Sequence, residues 1–331
     1  MPTRRRAFAV LALLCAAALA SLAWALMAGS LALPLDAVWA ALHGQGDGMA
    51  QEVVRGLRLP RALAAFACGG LLALAGALMQ VLLRNPLADP YVLGISGGAA
   101  VGALVAMLLG VGIGFGIEAM AFAGALGAML LVFGLAHGDG SWSQARLLLT
   151  GVIVAAGCGA AVALMLSIAP EQQLRGMLFW LMGDASHAPA PWTALWILLL
   201  GLLVALFFAR ELNLLARGAA LAATLGVDVG RLRLVLYFLA SLLTAVAVTH
   251  IGSVGFVGLI VPHLVRLALG NDQRLLLPAA ALAGGILLTL ADTLARTVIA
   301  PQQLPVGVLT ALLGVPVFLF LLARAPRMEG A

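Results

Sequence analysis

Residues 58–100 read RLPRALAAFACGGLLALAGALMQVLLRNPLADPYVLGISGGAA, and the architecture of the chain is clearest in this segment. The run 59–83 is long enough to cross a bilayer, since a spanning helix needs about 20 apolar residues. The short polar segment 84–90 ends that run, and a second apolar run follows at once. The stretch therefore predicts two membrane-spanning helices that are joined by a tight turn.

The rest of the chain is also strongly apolar. Of its 331 residues, 64% are hydrophobic and 9% are charged, and the mean hydropathy is +1.14. So few polar side chains could not cover a soluble domain, and the composition indicates a polytopic membrane protein. We expect an all-α fold with about ten transmembrane helices in a single domain, 1–331, because no charged linker divides the chain. Hydropathy places the candidate spans at 7–29, 59–83, 91–110, 114–136, 146–168, 190–209, 232–250, 254–269, 276–299 and 305–323.

The placement of the arginines predicts how these spans are oriented. The run 7–29 follows three arginines, and we interpret it as an uncleaved first helix, with a cleaved signal peptide as the alternative. If the chain starts inside, 13 of its 18 basic residues, from Arg4 to Arg327, fall in cytoplasmic segments. This bias favours cytoplasmic termini. The external set is Arg55, Arg58, Arg61, Arg175 and Arg296.

The composition also excludes several kinds of site. All basic residues are arginine, so the chain lacks the lysine of a P-loop, of a Schiff-base cofactor or of a general base. Any nucleotide that powers the protein must bind to another chain. Cys15, Cys68 and Cys158 lack metal-ligand spacing and the spans contain no polar cluster, so we predict no metal site and no catalytic residue. The pI of about 10.0 does not indicate nucleic-acid binding, because the arginines are scattered at the ends of apolar runs.

Two arginines mark the entrance to the second span. Pro60 suits a first helical turn, where its missing N–H would have no partner within the helix. Arg58 and Arg61 flank that turn on the outer side. A pair of arginines three residues apart can bind a carboxylate of a docking protein. Anchoring in lipid headgroups is the alternative.

The turn after the second span is short and rigid. Asp89 followed by Pro90 is a good N-cap and first-turn pair, so the chain turns through 85–87 and re-enters the membrane immediately. Such a cytoplasmic turn can act as a gate if it lies on a pore axis. A plain connection between helices is the alternative.

The longest internal loop, 210–231, contains a short helix. The pattern predicts it from Arg217 to Leu225, ended by Gly226, with Leu221 and Leu225 on one face. Such a helix can dock into a groove of another protein. The alternative is a helix that lies at the lipid interface.

Few charged groups lie within the spans. Asp292 and Arg296 are four residues apart, and an ion pair between them would lower the cost of placing either charge in lipid. Arg296 can equally face outward beside Arg58 and Arg61. His263, after Pro262 in the eighth predicted span, can bond a carbonyl that the proline leaves free in a bent helix.

Taken in order, these segments resemble the permease family of ABC importers for ferric siderophores, haem and cobalamin. The resemblance implies a ten-span subunit of a bacterial inner membrane, paired with a second copy around a central path. It also implies a periplasmic substrate-binding protein and two separate subunits that hold ATP and Mg²⁺. The chain itself would then have no cofactor and no enzyme activity. The matching stretches are 58–100, 146–151, 174–183, 221–233, 252–274 and 282–322.

The resemblance implies roles for individual residues. External arginines would receive acidic residues of the binding protein, and they map to Arg58, Arg61 and Arg296. The turn between spans two and three would contribute to the inner gate, at Asn85 and Leu87. A coupling helix would dock in the ATPase cleft. It maps to Arg217, Gly218, Ala219, Leu221, Leu225 and Gly226.

Three positions depart from the family pattern. Gln303 stands where the family often has glutamate, and Gln273 replaces a common histidine. Ala219 replaces a frequent acid, which leaves the details of the ATPase contact open.

The resemblance narrows the cargo to a metal chelate. The segment 90–94 is more similar to the cobalamin and siderophore members than to the haem members, so we expect a corrinoid in preference to a ferric siderophore. A haem importer permease is the alternative within the family. An ion-coupled secondary transporter is the rival of a different class. It needs titratable groups near mid-membrane, and the candidates are Glu118, Asp292 and His263.

Overall fold

The computed structural model describes residues 4–29, 31–111, 115–136, 143–186 and 191–324. All regular elements in these ranges are helical, which confirms the all-α class. A π-helical segment, Glu52–Arg58, and a 3₁₀ turn, Pro90–Leu93, interrupt the α-helices. The α-helices are α1 (Arg4–Met27), α2 (Leu35–Leu42), α3 (Gly48–Gln51), α4 (Leu59–Leu82), α5 (Ile95–Leu108), α6 (Phe115–Ala136), α7 (Gln144–Ile168), α8 (Glu171–Met182), α9 (Pro191–Phe207), α10 (Ala209–Leu215), α11 (Ala219–Thr224), α12 (Val229–Ile251), α13 (Val257–Leu269), α14 (Gln273–Ala295) and α15 (Val306–Arg324).

Each of the ten predicted spans contains one apolar helix. Six of the described helical stretches, containing α1, α4, α6, α7, α12 and α14, are long and apolar enough to cross a bilayer. Helices α9 and α10 together form a seventh candidate that is bent by 62°. Helices α5, α13 and α15 are shorter apolar helices. Three predicted positions lie outside the described residues. They are residues 114 and 190, where two of the predicted spans start, and Arg327.

Helix α4 lies at the centre of the fold. Its residues from Ala67 to Leu82 are all buried, and it packs against α14, α12, α9 and α13. Two of these contacts are close approaches of backbone to backbone. A Cβ atom on Gly69 would lie 2.2 Å from the carbonyl oxygen of Gly284, and one on Gly76 would lie 1.9 Å from that of Gly258. Small residues allow this packing, which is common between membrane helices.

In two predicted spans the α-helix begins later than the sequence predicts. Helix α5 begins only at Ile95, after the 3₁₀ turn, and α13 begins at Val257. The two junctions meet, because the Tyr91 hydroxyl accepts a hydrogen bond from the Val254 amide and donates one to the Val254 carbonyl, each at 2.9 Å. The Ser96 and Ser253 hydroxyls are also bonded, at 3.0 Å. These bonds satisfy polar groups that would be costly to leave unpaired in hydrocarbon.

The predicted external segment 30–57 is largely helical. It contains α2, α3 and most of the π-helical segment. These elements pack on the end of α1 through a small apolar cluster of their own. Its buried members are Leu26, Val38, Ala41, Ala50 and Val54.

Candidate docking cleft and the surfaces at the opposite end

A cleft of about 400 Å³ lies where α1 ends, α4 begins and α14 ends. The three arginines that the sequence assigns to docking all line it, although 238 positions separate Arg58 from Arg296. Gln303 lines the same cleft. The fold therefore brings the predicted group together, while its docking role stays a prediction.

Arg61 is bound on two sides. Its Nε and Nη2 atoms donate to the carboxylate of Asp292 at 2.8 to 3.1 Å, and its Nη1 donates to Gln303 Oε1 at 2.9 Å. Asp292 is only 2% exposed. The bidentate ion pair with Asp292 fixes the plane of the guanidinium group as well as its position.

Arg58 stabilises the end of the first helix. It is 6% exposed, and its Nη1 donates to the carbonyl oxygens of Leu26 at 2.7 Å and Met27 at 3.0 Å. Its Nη2 donates to the carbonyl of Leu31. The last carbonyls of a helix lack partners within the helix, and a cation suits the negative end of the helix dipole. These bonds give Arg58 a structural function that the sequence did not predict.

Arg296 has the same function from the other side of the cleft. Its Nη1 donates to the Ala28 carbonyl at 2.8 Å, and its Nη2 donates to the Ala25 carbonyl. The predicted ion pair between Asp292 and Arg296 is present, with Arg296 Nε 3.9 Å from the carboxylate, but Arg61 binds the same carboxylate more closely, at 2.8 Å. Arg296 lines the same cleft as Arg58 and Arg61, which agrees with the alternative prediction that it faces outward beside them.

The turn between α4 and α5 lies at the opposite end of α4. At 1.5 Å per residue, this 24-residue helix separates the two sites by about 36 Å. Asn85 is exposed, and its side-chain oxygen accepts a hydrogen bond from the Leu87 amide at 2.9 Å. Arg84 has a φ of +48°, which residues other than glycine rarely adopt. The gating role of Asn85 and Leu87 stays a prediction.

Asp89 ends that turn as the sequence predicts. Its carboxylate accepts a hydrogen bond from the Tyr91 amide at 2.8 Å and so caps the 3₁₀ turn. Burial raises the pKa of the Asp89 carboxyl to about 6, and the bond from Tyr91 acts in the opposite direction.

The predicted coupling helix is present as α11. It begins after Gly218, and the chain passes through Leu225 to Gly226, whose φ is +83°. Leu221 and Leu225 are 45% and 58% exposed. Arg217 and Gly218 precede the helix, and Ala219 is its first residue. The structure thus confirms a short helix that ends before Gly226, but the predicted start at Arg217 is two residues too early. Docking to an ATPase stays a prediction.

Helix α11 lies at the same end of the molecule as the turn. The pairs formed by Arg61 with Asp292 and by Gly69 with Gly284 show that α4 and α14 are antiparallel. The start of α14 is therefore at the turn end. Asn213 in α10, which directly precedes α11, donates to Asp272 at that start, at 2.9 Å.

A second cavity, of about 480 Å³, lies between α6, α8 and the end of α12. Its lining includes Glu118, His250 and Trp180. Arg175, also in the lining, lies over the ring of Phe179 at 5.7 Å from its centroid. Sequence reasoning missed this cavity; the spacing of Arg175 and Phe179 by four residues predicts only their contact on one face of α8.

The three side chains that the sequence offers for ion coupling lie at separate places in the fold. Glu118 lines the second cavity, Asp292 is bound in the cleft, and His263 lies in α13. No group of three or more metal-binding side chains occurs among the residues that the structure describes.

Apolar helices around a buried central helix, with a cationic cleft at one end and an exposed apolar helix at the other, define a multi-pass membrane permease. The chain belongs to the FecCD transport family, whose model matches residues 14–324.

Known relatives cover most of the chain. The cobalamin import system permease protein BtuC of Halobacterium salinarum is 44% identical over 275 residues, which cover 82% of this chain and 74% of the relative. The hemin transport system permease protein HmuU of Yersinia pestis is 42% identical over 311 residues, which cover 89% and 90%. A solved structure described as an inward-facing metal-chelate type ABC transporter matches with a TM-score of 0.83 and 31% identity, covering 96% of this chain and 99% of that one.

Proposed function

We propose that this chain is the permease subunit of an ATP-driven importer that moves a metal chelate from a periplasmic binding protein to the cytoplasm. The observation that carries the proposal is the placement of two different surfaces at opposite ends of α4. The cationic cleft suits acidic side chains of a binding protein. The exposed leucines of α11 suit an apolar groove in an ATP-binding subunit.

The assembly that fits these surfaces contains two copies of this chain, two ATP-binding subunits and one binding protein. ATP and Mg²⁺ belong to the ATP-binding subunits, since this chain has no lysine for a P-loop. The chain itself carries out no chemistry and needs no cofactor. In a bacterial inner membrane, the cleft faces the periplasm, and α11 and both termini face the cytoplasm.

The cargo that we propose is a corrinoid such as cobalamin. The similarity to a cobalamin permease supports this choice, and the nearly equal similarity to a hemin permease makes haem the main alternative. A ferric siderophore is the third candidate.

Uptake into liposomes tests the proposal. The chain is reconstituted with its ATP-binding subunits, the binding protein is enclosed or added on the cleft side, and labelled cobalamin is followed with and without ATP. We expect uptake that requires both ATP and the binding protein. If the binding protein stimulates ATP hydrolysis without cobalamin uptake, haem and a ferric siderophore are tested next. Uptake that an ion gradient drives without ATP would contradict the importer mechanism.

A further inference from the structure

The two sides of Arg61 differ in what holds them. The side formed by Nε and Nη2 binds Asp292, whose side chain is only 3% exposed. The Nη1 atom binds Gln303, which is exposed at the edge of the cleft. One side is therefore fixed inside the protein, and the other is covered by a neutral side chain that solvent or a partner can reach.

Gln303 is not needed to hold its own segment in place. The following residue, Leu304, donates a backbone hydrogen bond to the Ala295 carbonyl at 2.9 Å. The preceding residue, Gln302, donates to the Ile299 carbonyl at 3.1 Å. Backbone bonds on both sides thus fix this connection, and the Gln303 amide is free to exchange its partner.

The cleft carries an excess of positive charge. Three guanidinium groups, those of Arg58, Arg61 and Arg296, line it. The carboxylate of Asp292 binds Arg61 at 2.8 Å and lies 3.9 Å from Arg296, and it offsets only part of that charge. A carboxylate in place of the Gln303 amide would reduce the excess further.

We propose that Gln303 determines how strongly the cleft binds its partner. In the free permease, its amide oxygen accepts the hydrogen bond from Arg61 Nη1 that an acidic side chain of the binding protein accepts on docking. Because the amide is neutral, it holds the guanidinium group in orientation without neutralising it. This inference rests on the docking role in the proposed function.

The test compares three variants of the permease complex, reconstituted in nanodiscs, for binding of the labelled substrate-binding protein that stimulates its ATP hydrolysis. In Gln303→Glu the new carboxylate competes for Arg61, and we expect Kd to rise about three- to tenfold at low salt. The matched control is Gln302→Glu, which adds the same charge one residue away and should change Kd by less than about twofold. Gln303→Ala removes the competitor, and its Kd should equal or fall below that of the unmodified complex.

A second measurement separates this role from a structural one. Gln303→Glu forms a new ion pair with Arg61, so the isolated permease should melt at the same or a higher temperature while docking weakens. The loss of affinity should shrink as salt is raised, because it is electrostatic. Equal Kd values for Gln303→Glu and Gln302→Glu, or weaker docking by Gln303→Ala, would overturn the proposal. If the unmodified complex does not bind the protein at all, the docking role itself fails.

Discussion

Replacing Asp292 with asparagine isolates the charge that holds Arg61. The two side chains have nearly the same shape. An asparagine oxygen in the place of Oδ1 can still accept the hydrogen bonds from Arg61 Nη2 and Nε at 2.8 and 3.1 Å. The substitution removes the bond from Nε to Oδ2 at 2.9 Å and the negative charge, in a place where Asp292 is 2% exposed.

The size of the effect follows from burial. Removing one partner of a buried ion pair costs about 3–5 kcal/mol, because the remaining charge is left without compensation. The side chain of Arg61 is 13% exposed and keeps its bond to Gln303, which reduces the cost. We expect Asp292→Asn to destabilise the permease by about 2–3 kcal/mol. For a chain of this length the apparent melting temperature should fall by roughly 3–6 °C.

Thermal unfolding in detergent, followed by size-exclusion chromatography, measures this fall. The matched experiment combines Asp292→Asn with Arg61→Gln, which removes both charges. Because the unpaired cation is gone, the double variant should melt above the value expected from adding the two single effects. Additive effects would refute the pairing as the source of the stability, and so would a melting temperature that Asp292→Asn leaves unchanged.

The remaining predictions concern other parts of the fold. Leu221→Asp combined with Leu225→Asp should leave the permease folded but lower its affinity for the ATP-binding subunit at least tenfold, measured by co-purification; unchanged recovery would contradict the docking role of α11. Tyr91→Phe should cost about 1–3 kcal/mol, because it leaves a backbone amide at the junction unpaired, and an unaltered melting temperature would show that the bond is dispensable. Gly76→Ala places a Cβ 1.9 Å from a backbone oxygen and should abolish folded, monodisperse protein, whereas Gly127→Ala, with nothing within 4 Å, should be tolerated.

The sequence predicts the helices well because hydropathy reports burial in lipid directly. It does not predict where α5 and α13 begin, since apolar residues give the same signal in a 3₁₀ turn and in an α-helix. It also fails to show that the segments before α5 and α13 meet at Tyr91 and Val254, because their contact joins positions 163 residues apart.

The sequence predicts which residues line the cleft, but not how they pair. Type and spacing select Arg58, Arg61 and Arg296 as a group, and the structure places them together. The sequence does not predict that Arg61 is the nearer partner of Asp292. A spacing of four residues favours Arg296, and only the register between α4 and α14 brings Arg61 closer. The helix-capping bonds of Arg58 are equally invisible in the sequence, since they go to backbone oxygens.

The glycine contacts between α4 and α14 restrict how the protein can move. At Gly69 and Gly284 the two backbones lie so close that neither helix can slide or rotate past the other without a steric clash. The same two helices also share the bond between Arg61 and Asp292 at the cleft. Helices α4 and α14 therefore move as one rigid body, and a displacement at the cleft moves the turn at the far end with it. We expect the hinges to lie in the helices around this pair.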